Sequence, residues 1–170
     1  ARTLAQAVPE LYTMGVHGTV RPAEMLPLTD ARAAIMGEPE LAILDIAAGL
    51  DLEKIPGLCL PGEGPEGEVR FTSPRMGQLE LDEAPLPAFD LLPMERYEHV
   101  IMGPRSVMLE ASRGCPFKCT TCLQAMYGPN YRKKSGDKLI RDVRFAVEEH
   151  GARNITFIDM EFCLNTEAVE

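Results

Sequence analysis

From Ile55 to about Pro93 the chain carries neither a helical nor a strand period, and that gap limits what the whole can fold into. Pro61-Gly62-Glu63-Gly64-Pro65-Glu66-Gly67 lies inside it. Proline has no N–H to give a ladder, and glycine is too free to hold a helix. Val69-Arg70-Phe71 predicts one short strand, and Asp82 to Asp90 an extended run biased by its prolines toward polyproline or edge-like backbone. Leu86, Phe89, Leu91 and Leu92 are too apolar for a free tether. The expectation is a Pro/Gly-rich connector over 58–105, packed against the α/β segments on either side.

Before the gap, over 1–57, strand and helix signals alternate. Leu11-Tyr12-Thr13-Met14 reads as a strand closed by a tight loop, Gly15-Val16-His17-Gly18. Pro22 to Leu26 predicts a short helix with proline at an early position, where its missing N–H costs nothing. Ala33-Ala34-Ile35-Met36 predicts a buried strand. Leu41, Leu44 and Ala48 then fall at helical spacing, with Ile43, Ile46 and Ala47 widening the face and Gly49 ending it. Such alternation predicts the end of a parallel α/β domain.

After the gap, over 106–170, Ser106 to Ser112 predicts a strand, Lys138 to His150 an amphipathic helix and Asn154 to Asp159 a second strand. The helix is expected to bury Leu139, Val143, Ala146 and Val147 and to end at Gly151. These elements form one βαβ unit. The chain starts in what reads as a helix tail (Ala1 to Ala7) and stops after a helix start at Asn165, so a piece of a longer protein is expected.

The net charge of −9 gives no electrostatic footprint for nucleic acid, and no apolar run reaches membrane-spanning length. Arg132-Lys133-Lys134 reads as a solvated basic loop rather than an anion clamp. The five cysteines are an odd number with three crowded together, which suits metal binding in a reducing compartment, by default the cytoplasm. Cys59 and Cys163 read as free thiols.

The crowded three are Cys115, Cys119 and Cys122, at spacing C-x3-C-x2-C on the loop after the strand at 106–112. In α/β folds that carboxyl edge is where active sites are built. Thiolates favour iron–sulfur clusters and zinc alike. Structural zinc takes four protein ligands, and the nearest fourth donors in sequence are His150 and Cys163. Three ligands fit a 4Fe–4S cluster with one iron open. Phe117 and Tyr127 are placed to shield it, or to make ordinary loop contacts.

The motif Cys115-x3-Cys119-x2-Cys122 at the start of a βαβ unit resembles the signature of the radical S-adenosylmethionine superfamily. Arg113-Gly114-Cys115-Pro116-Phe117-Lys118-Cys119, Tyr131 to Ser135 and Ile155 to Asp159 resemble the branch with an N-terminal cobalamin-binding domain. Gly15 to Thr19, Gly37 to Glu40 and Leu86 to Leu92 resemble that branch's domain end and connector.

The resemblance implies the C-terminal part of a Rossmann-like cobalamin-binding domain, then the connector, then the first βαβ of a partial, TIM-like (β/α) radical barrel. It implies a 4Fe–4S cluster on Cys115, Cys119 and Cys122 whose open iron chelates S-adenosylmethionine, a 5′-deoxyadenosyl radical, and methyl transfer from cobalamin to an unactivated carbon. An oxidative cyclisation or rearrangement, as in magnesium-porphyrin cyclases, is the alternative outcome, and a non-catalytic metal-stabilised binding module is another. Partners implied are a small-molecule substrate and an electron donor such as flavodoxin or ferredoxin. Phe117 and Thr121 would lie near the cofactor, with Thr121 standing where the family often has an aromatic residue. Asp159 and Glu161 would accept from the methionine ammonium group. Gly15 and His17 would face cobalamin, although an ordinary loop histidine is the stronger reading of His17. An Asp-x-His-x-x-Gly ligand motif is absent from the chain.

Overall fold

The structure is a computed structural model that describes residues 10–62, 68–122, 124, 126–162 and 164. The helix tail expected at Ala1 to Ala7, the helix start at Asn165 and the thiol of Cys163 lie outside the described residues. The chain forms two compact units, one of Ala1–Leu79 with Lys118–Gly128, the other of Glu80–Phe117 with Pro129–Glu170.

In the first unit, β1 (Tyr12–Thr13) runs parallel to β2 (Ala33–Ile35), as the alternating pattern predicts. The chain between them is helical twice, in α1 (Val16–Val20) and α2 (Pro22–Thr29). The tight loop expected at Gly15–Gly18 is therefore confined to Gly15, whose φ of 98° suits a residue without Cβ, and the helix begins at once. Gly18 is buried under it.

The expected lapse of pattern after Ile55 needs correction. β3 (Leu58–Pro61) pairs antiparallel with β2, and β4 (Val69–Phe71) antiparallel with β3, giving a four-stranded mixed sheet in the order β1-β2-β3-β4. Leu58, Cys59 and Leu60 are all buried. Three buried residues in a row hide the alternation that marks a half-exposed strand. Leu58–Pro61 and Val69–Phe71 of the expected connector are thus sheet.

Period-two alternation reappears in what each face touches. Ala33, Ile35, Leu58 and Leu60 pack with Ala42 and Ile55, whereas Ala34 and Cys59 pack with Leu26 and Ala31. The two clusters place α2 on one face and α3 (Glu40–Ala47) on the other. α3 ends in a Schellman turn: Gly49 (φ 77°) donates to Ile46 O and Leu50 to Asp45 O. Its buried side is Ala42 with Ile46, while Leu44 is 62% exposed, so the expected Leu44 face is turned outward.

In the second unit, β7 (Ser106–Leu109) and β10 (Asn154–Phe157) are parallel and in register from Ser106↔Asn154 to Leu109↔Phe157. They are joined through α4 (Gly136–Arg144), which continues as a π-turn over Phe145–Glu149. This is the expected βαβ unit. Val107, Leu109, Ala146 and Ala152 form its core with Phe89 and Met94 from the preceding segment. That segment is three 3₁₀ turns (Leu81–Glu83, Phe89–Leu91, Met94–Arg96) and a short hairpin of β5 (Glu98–His99) and β6 (Gly103–Pro104). Of its apolar residues Phe89 is the anchor; Leu86, Leu91 and Leu92 are exposed, contrary to expectation. The helix buries Ala146 as expected but leaves Val147 exposed, and it hides Lys138 and Asp142.

Candidate functional site

The cysteine loop begins and ends in one ladder. β8 (Ser112–Arg113) pairs antiparallel with β9 (Arg132–Lys133), so the chain between them leaves the end of β7 and returns to it. One residue further out, Lys134 N donates to Ala111 O at 2.8 Å. Gly114 (φ 80°) turns the backbone out of β8, a conformation an L side chain adopts only under strain. Cys115 follows at once and is 8% exposed. Cys119 and Cys122 are exposed, and a turn closed by Cys122 N donating to Cys119 O (3.2 Å) links them.

All of these cysteines, and buried Cys59, are free thiols. Cys115 belongs to the second unit and Cys119 and Cys122 to the first. Among the described residues no three His, Cys, Asp or Glu side chains are gathered as a metal site. What the loop does offer is the donor set: three soft sulfur ligands and no competing disulfide. That chemistry fits an iron–sulfur cluster with an open iron.

Aspartates hold the two feet of the loop. Asp159, just past β10, accepts from Ala111 N through Oδ1 (3.1 Å) and Oδ2 (3.2 Å) and from the Ser112 hydroxyl. Ser112 Oγ also lies 3.4 Å from Glu161 O. The carboxylate expected to meet a cofactor ammonium is therefore already bound to β8. On the outgoing foot, Asp142 Oδ2 takes Lys134 Nζ and its Oδ1 takes Lys138 Nζ, each at 2.6 Å. All three side chains are under 10% exposed. Asp82 accepts from Ser135 N at 2.7 Å, and that backbone N–H holds the Asp82 carboxyl below the usual carboxylate range. Beside Cys115, Arg113 Nε donates to Glu110 Oε2 at 2.7 Å in a largely buried pair.

The basic run is not a solvated loop: Arg132 and Lys133 are strand, and Lys134 is an ion-pair partner. Sequence reasoning missed this because Lys138 and Asp142, four apart on a helix, look like any surface i,i+4 pair. Phe117 is 51% exposed and Thr121 exposed, and neither is shown covering a cysteine.

In the first unit, the carboxyl edge of β1 and β2 is capped by buried Gly18 of α1, which packs against Thr13 and Ile35. Nothing lies within 4 Å of a Cβ built on Gly15. The Thr13 hydroxyl is buried with no hydrogen-bond partner. Thr19 Oγ1 donates to Gly15 O (2.9 Å) and accepts from Gly37 N (3.0 Å), tying the two loops of this edge together. Space at Gly15 and an unsatisfied hydroxyl two residues before it fit a polar cofactor edge. His17 lies exposed on α1. No helix among the described residues is long and apolar enough to cross a membrane.

No protein-family model matches the chain. Among curated proteins it is 33% identical over 159 residues to an uncharacterised methyltransferase of Pyrococcus horikoshii, covering 89% of this chain and 33% of the relative. It is 27% identical over 163 residues to the anaerobic magnesium-protoporphyrin IX monomethyl ester cyclase of Rubrivivax gelatinosus (90% and 29% covered). It is 34% identical over 156 residues to the hopanoid C-3 methylase of Methylococcus capsulatus (85% and 28%). The chain thus spans about a third of the length of the curated relatives it matches. Among solved structures, the fold matches the cobalamin-dependent S-adenosylmethionine radical enzyme OxsB, with aqua-cobalamin and S-adenosylmethionine bound, at TM-score 0.65 and 18% identity, over 89% of this chain and 21% of that one. It also matches the radical S-adenosylmethionine methyltransferase TsrM of Kitasatospora setae, with cobalamin and a [4Fe-4S] cluster bound, at TM-score 0.62 and 17% identity (94% and 32%). Its sequence relatives are thus methylases and a cyclase, and its fold is that of part of the cobalamin-dependent radical S-adenosylmethionine enzymes OxsB and TsrM.

Proposed function

We propose that this chain is the cofactor-holding part of a cobalamin-dependent radical S-adenosylmethionine methyltransferase acting on an unactivated carbon. The observation that carries the reading is the Cys115-x3-Cys119-x2-Cys122 loop, rooted by the β8–β9 ladder at the carboxyl end of the first strand of a parallel βαβ unit. Cys115, Cys119 and Cys122 would hold a 4Fe–4S cluster, and the edge at Gly15 and exposed His17 would meet cobalamin. Bound there, the two groups would supply radical chemistry and a transferable methyl group.

The protein's own part is placement. Buried Cys115 sits on a strand end fixed by Asp159 and the Glu110–Arg113 pair. Two exposed cysteines on a turn can adjust to a cluster as it assembles. Phe117, Thr121 and Glu161 are proposed to line the cofactor, with Phe117 excluding water once the site is filled. Asp159 is proposed to act on the S-adenosylmethionine ammonium group through the strand end it holds, or by its remaining lone pairs.

A second reading keeps the cofactors and changes the outcome to cyclisation, which the likeness to the Rubrivivax cyclase over 90% of the chain favours. Anaerobic reconstitution with iron and sulfide tests both. A brown, oxygen-sensitive protein whose colour is lost in Cys119→Ala is expected; tightly bound zinc with no brown species refutes both and leaves a metal-stabilised binding module. In the complete protein, 5′-deoxyadenosine released together with S-adenosylhomocysteine marks methyl transfer. Release of 5′-deoxyadenosine alone marks cyclisation.

A further inference from the structure

A buried ion cluster stands at the outgoing foot of the cysteine loop, and its three members do not play equal parts. Asp142 is 1% exposed and is shared by Lys138, 6% exposed and one turn earlier on α4, and by Lys134, 9% exposed and off the helix on the outgoing foot of the loop. The Lys138–Asp142 contact joins the helix to itself. The Lys134–Asp142 contact joins the loop to the helix, and the same residue's N–H closes onto Ala111 at the head of the incoming foot. Lys134 is therefore the point where loop, strand and helix are bound together.

We propose that Lys134, acting through Asp142, is a positioning residue that holds the cysteine loop, and Cys115 in particular, in place before any metal is bound. Charge-assisted hydrogen bonds inside a nearly dry cluster are short and directional, so they fix a loop foot better than apolar contact does. Asp142 presents one oxygen to each lysine. Loss of Lys134 leaves a neutral Lys138–Asp142 pair inside the helix, and loss of Lys138 leaves a neutral pair across the loop foot. The two substitutions therefore remove the same kind of buried pair but only one frees the loop. The consequence for cluster assembly rests on the reading of Cys115, Cys119 and Cys122 as cluster ligands; the tie itself does not.

The test is alkylation of the reduced, metal-free 170-residue chain, followed cysteine by cysteine by peptide mass spectrometry. In Lys134→Met, buried Cys115 should react at least about tenfold faster relative to exposed Cys119, the scale set by one lost charge-assisted hydrogen bond. In Lys138→Met the ratio should match the wild type, and buried Cys59 should be slow in all three proteins. Equal acceleration in both variants, or none in Lys134→Met, overturns the proposal. Amide exchange in the unmodified chain decides the matter even if a variant does not fold: Lys134 N–H should be as slow as the amides of central α4, and exchange at the rate of an open loop refutes the tie. Iron bound after anaerobic reconstitution separates the two readings. A wild type that takes up no iron, with Cys115 still freed by Lys134→Met, removes the cluster and leaves the tie standing.

Discussion

Asp159 is the residue on which structure and expected chemistry make the most distinct claims. It accepts the Ala111 N–H on both carboxylate oxygens and the Ser112 hydroxyl on one. Ala111 is 9% exposed and Ser112 3%, so water does not replace a lost acceptor cheaply. A hydrogen bond to a charged group contributes about 1.5–3 kcal/mol. Two donors are involved, and Ser112 Oγ has a fallback in Glu161 O at 3.4 Å. Asp159→Ala should therefore destabilise the strand end by about 2–4 kcal/mol, and Asp159→Asn, which keeps one neutral oxygen, by about half as much. Because two compact units need not unfold together, a single denaturation midpoint is a poor measure. Amide exchange resolved over 106–113 is the suitable assay. With tenfold for each 1.4 kcal/mol, Ala111 should exchange roughly 30- to 700-fold faster in Asp159→Ala, while β1 in the first unit is unchanged. Ala111 exchange at the wild-type rate would show that the carboxylate does not hold the strand, and would return Asp159 to a role purely toward ligand.

Leu58 is fully buried in β3, so Leu58→Ala should cost about 2–5 kcal/mol and lower the urea midpoint of the first unit, monitored by Cys59 alkylation. Leu44→Ala on exposed α3 surface should change that midpoint little, by under about 0.5 kcal/mol. The Asp82 carboxyl has a lowered folded pKa, so its stabilisation of the Ser135 N–H is fully present above the ordinary carboxylate value of about 4 and is lost as pH falls through the lowered one. Ser135 amide exchange, corrected for intrinsic rate, should therefore rise only below that range, and Asp82→Asn should remove the pH dependence. Burial pushes the Cys59 thiol up, so at pH 8 it should stay unmodified by an alkylating reagent that consumes Cys119.

The parts legible from residues alone were those governed by local spacing. The three cysteines, Ala33-Ala34-Ile35, the Gly49 stop and the βαβ pattern around Ser106 and Asn154 each announce themselves within a few residues, because period and turn chemistry are properties of neighbours. Leu58-Cys59-Leu60 did not, since a strand buried on both faces loses its alternation and looks like any apolar run beside glycine and proline. The choice of buried face on α3 was equally out of reach: both Leu44 and Ala42 fit a helix, and only the tertiary packing shows that Ala42 faces the sheet.

At the site the division is sharper. Spacing alone carries the chemistry of Cys115, Cys119 and Cys122, because ligand type and loop length are written in order along the chain. What holds that loop is not. Asp159 and Asp142 lie tens of residues from the loop's first foot, and Asp82 precedes the strand altogether. A carboxylate of this composition is ordinarily a solvated surface group. Only folding, by removing water around Asp142 and bringing Lys134 and Lys138 to opposite oxygens, turns three ordinary charged residues into a fixed anchor.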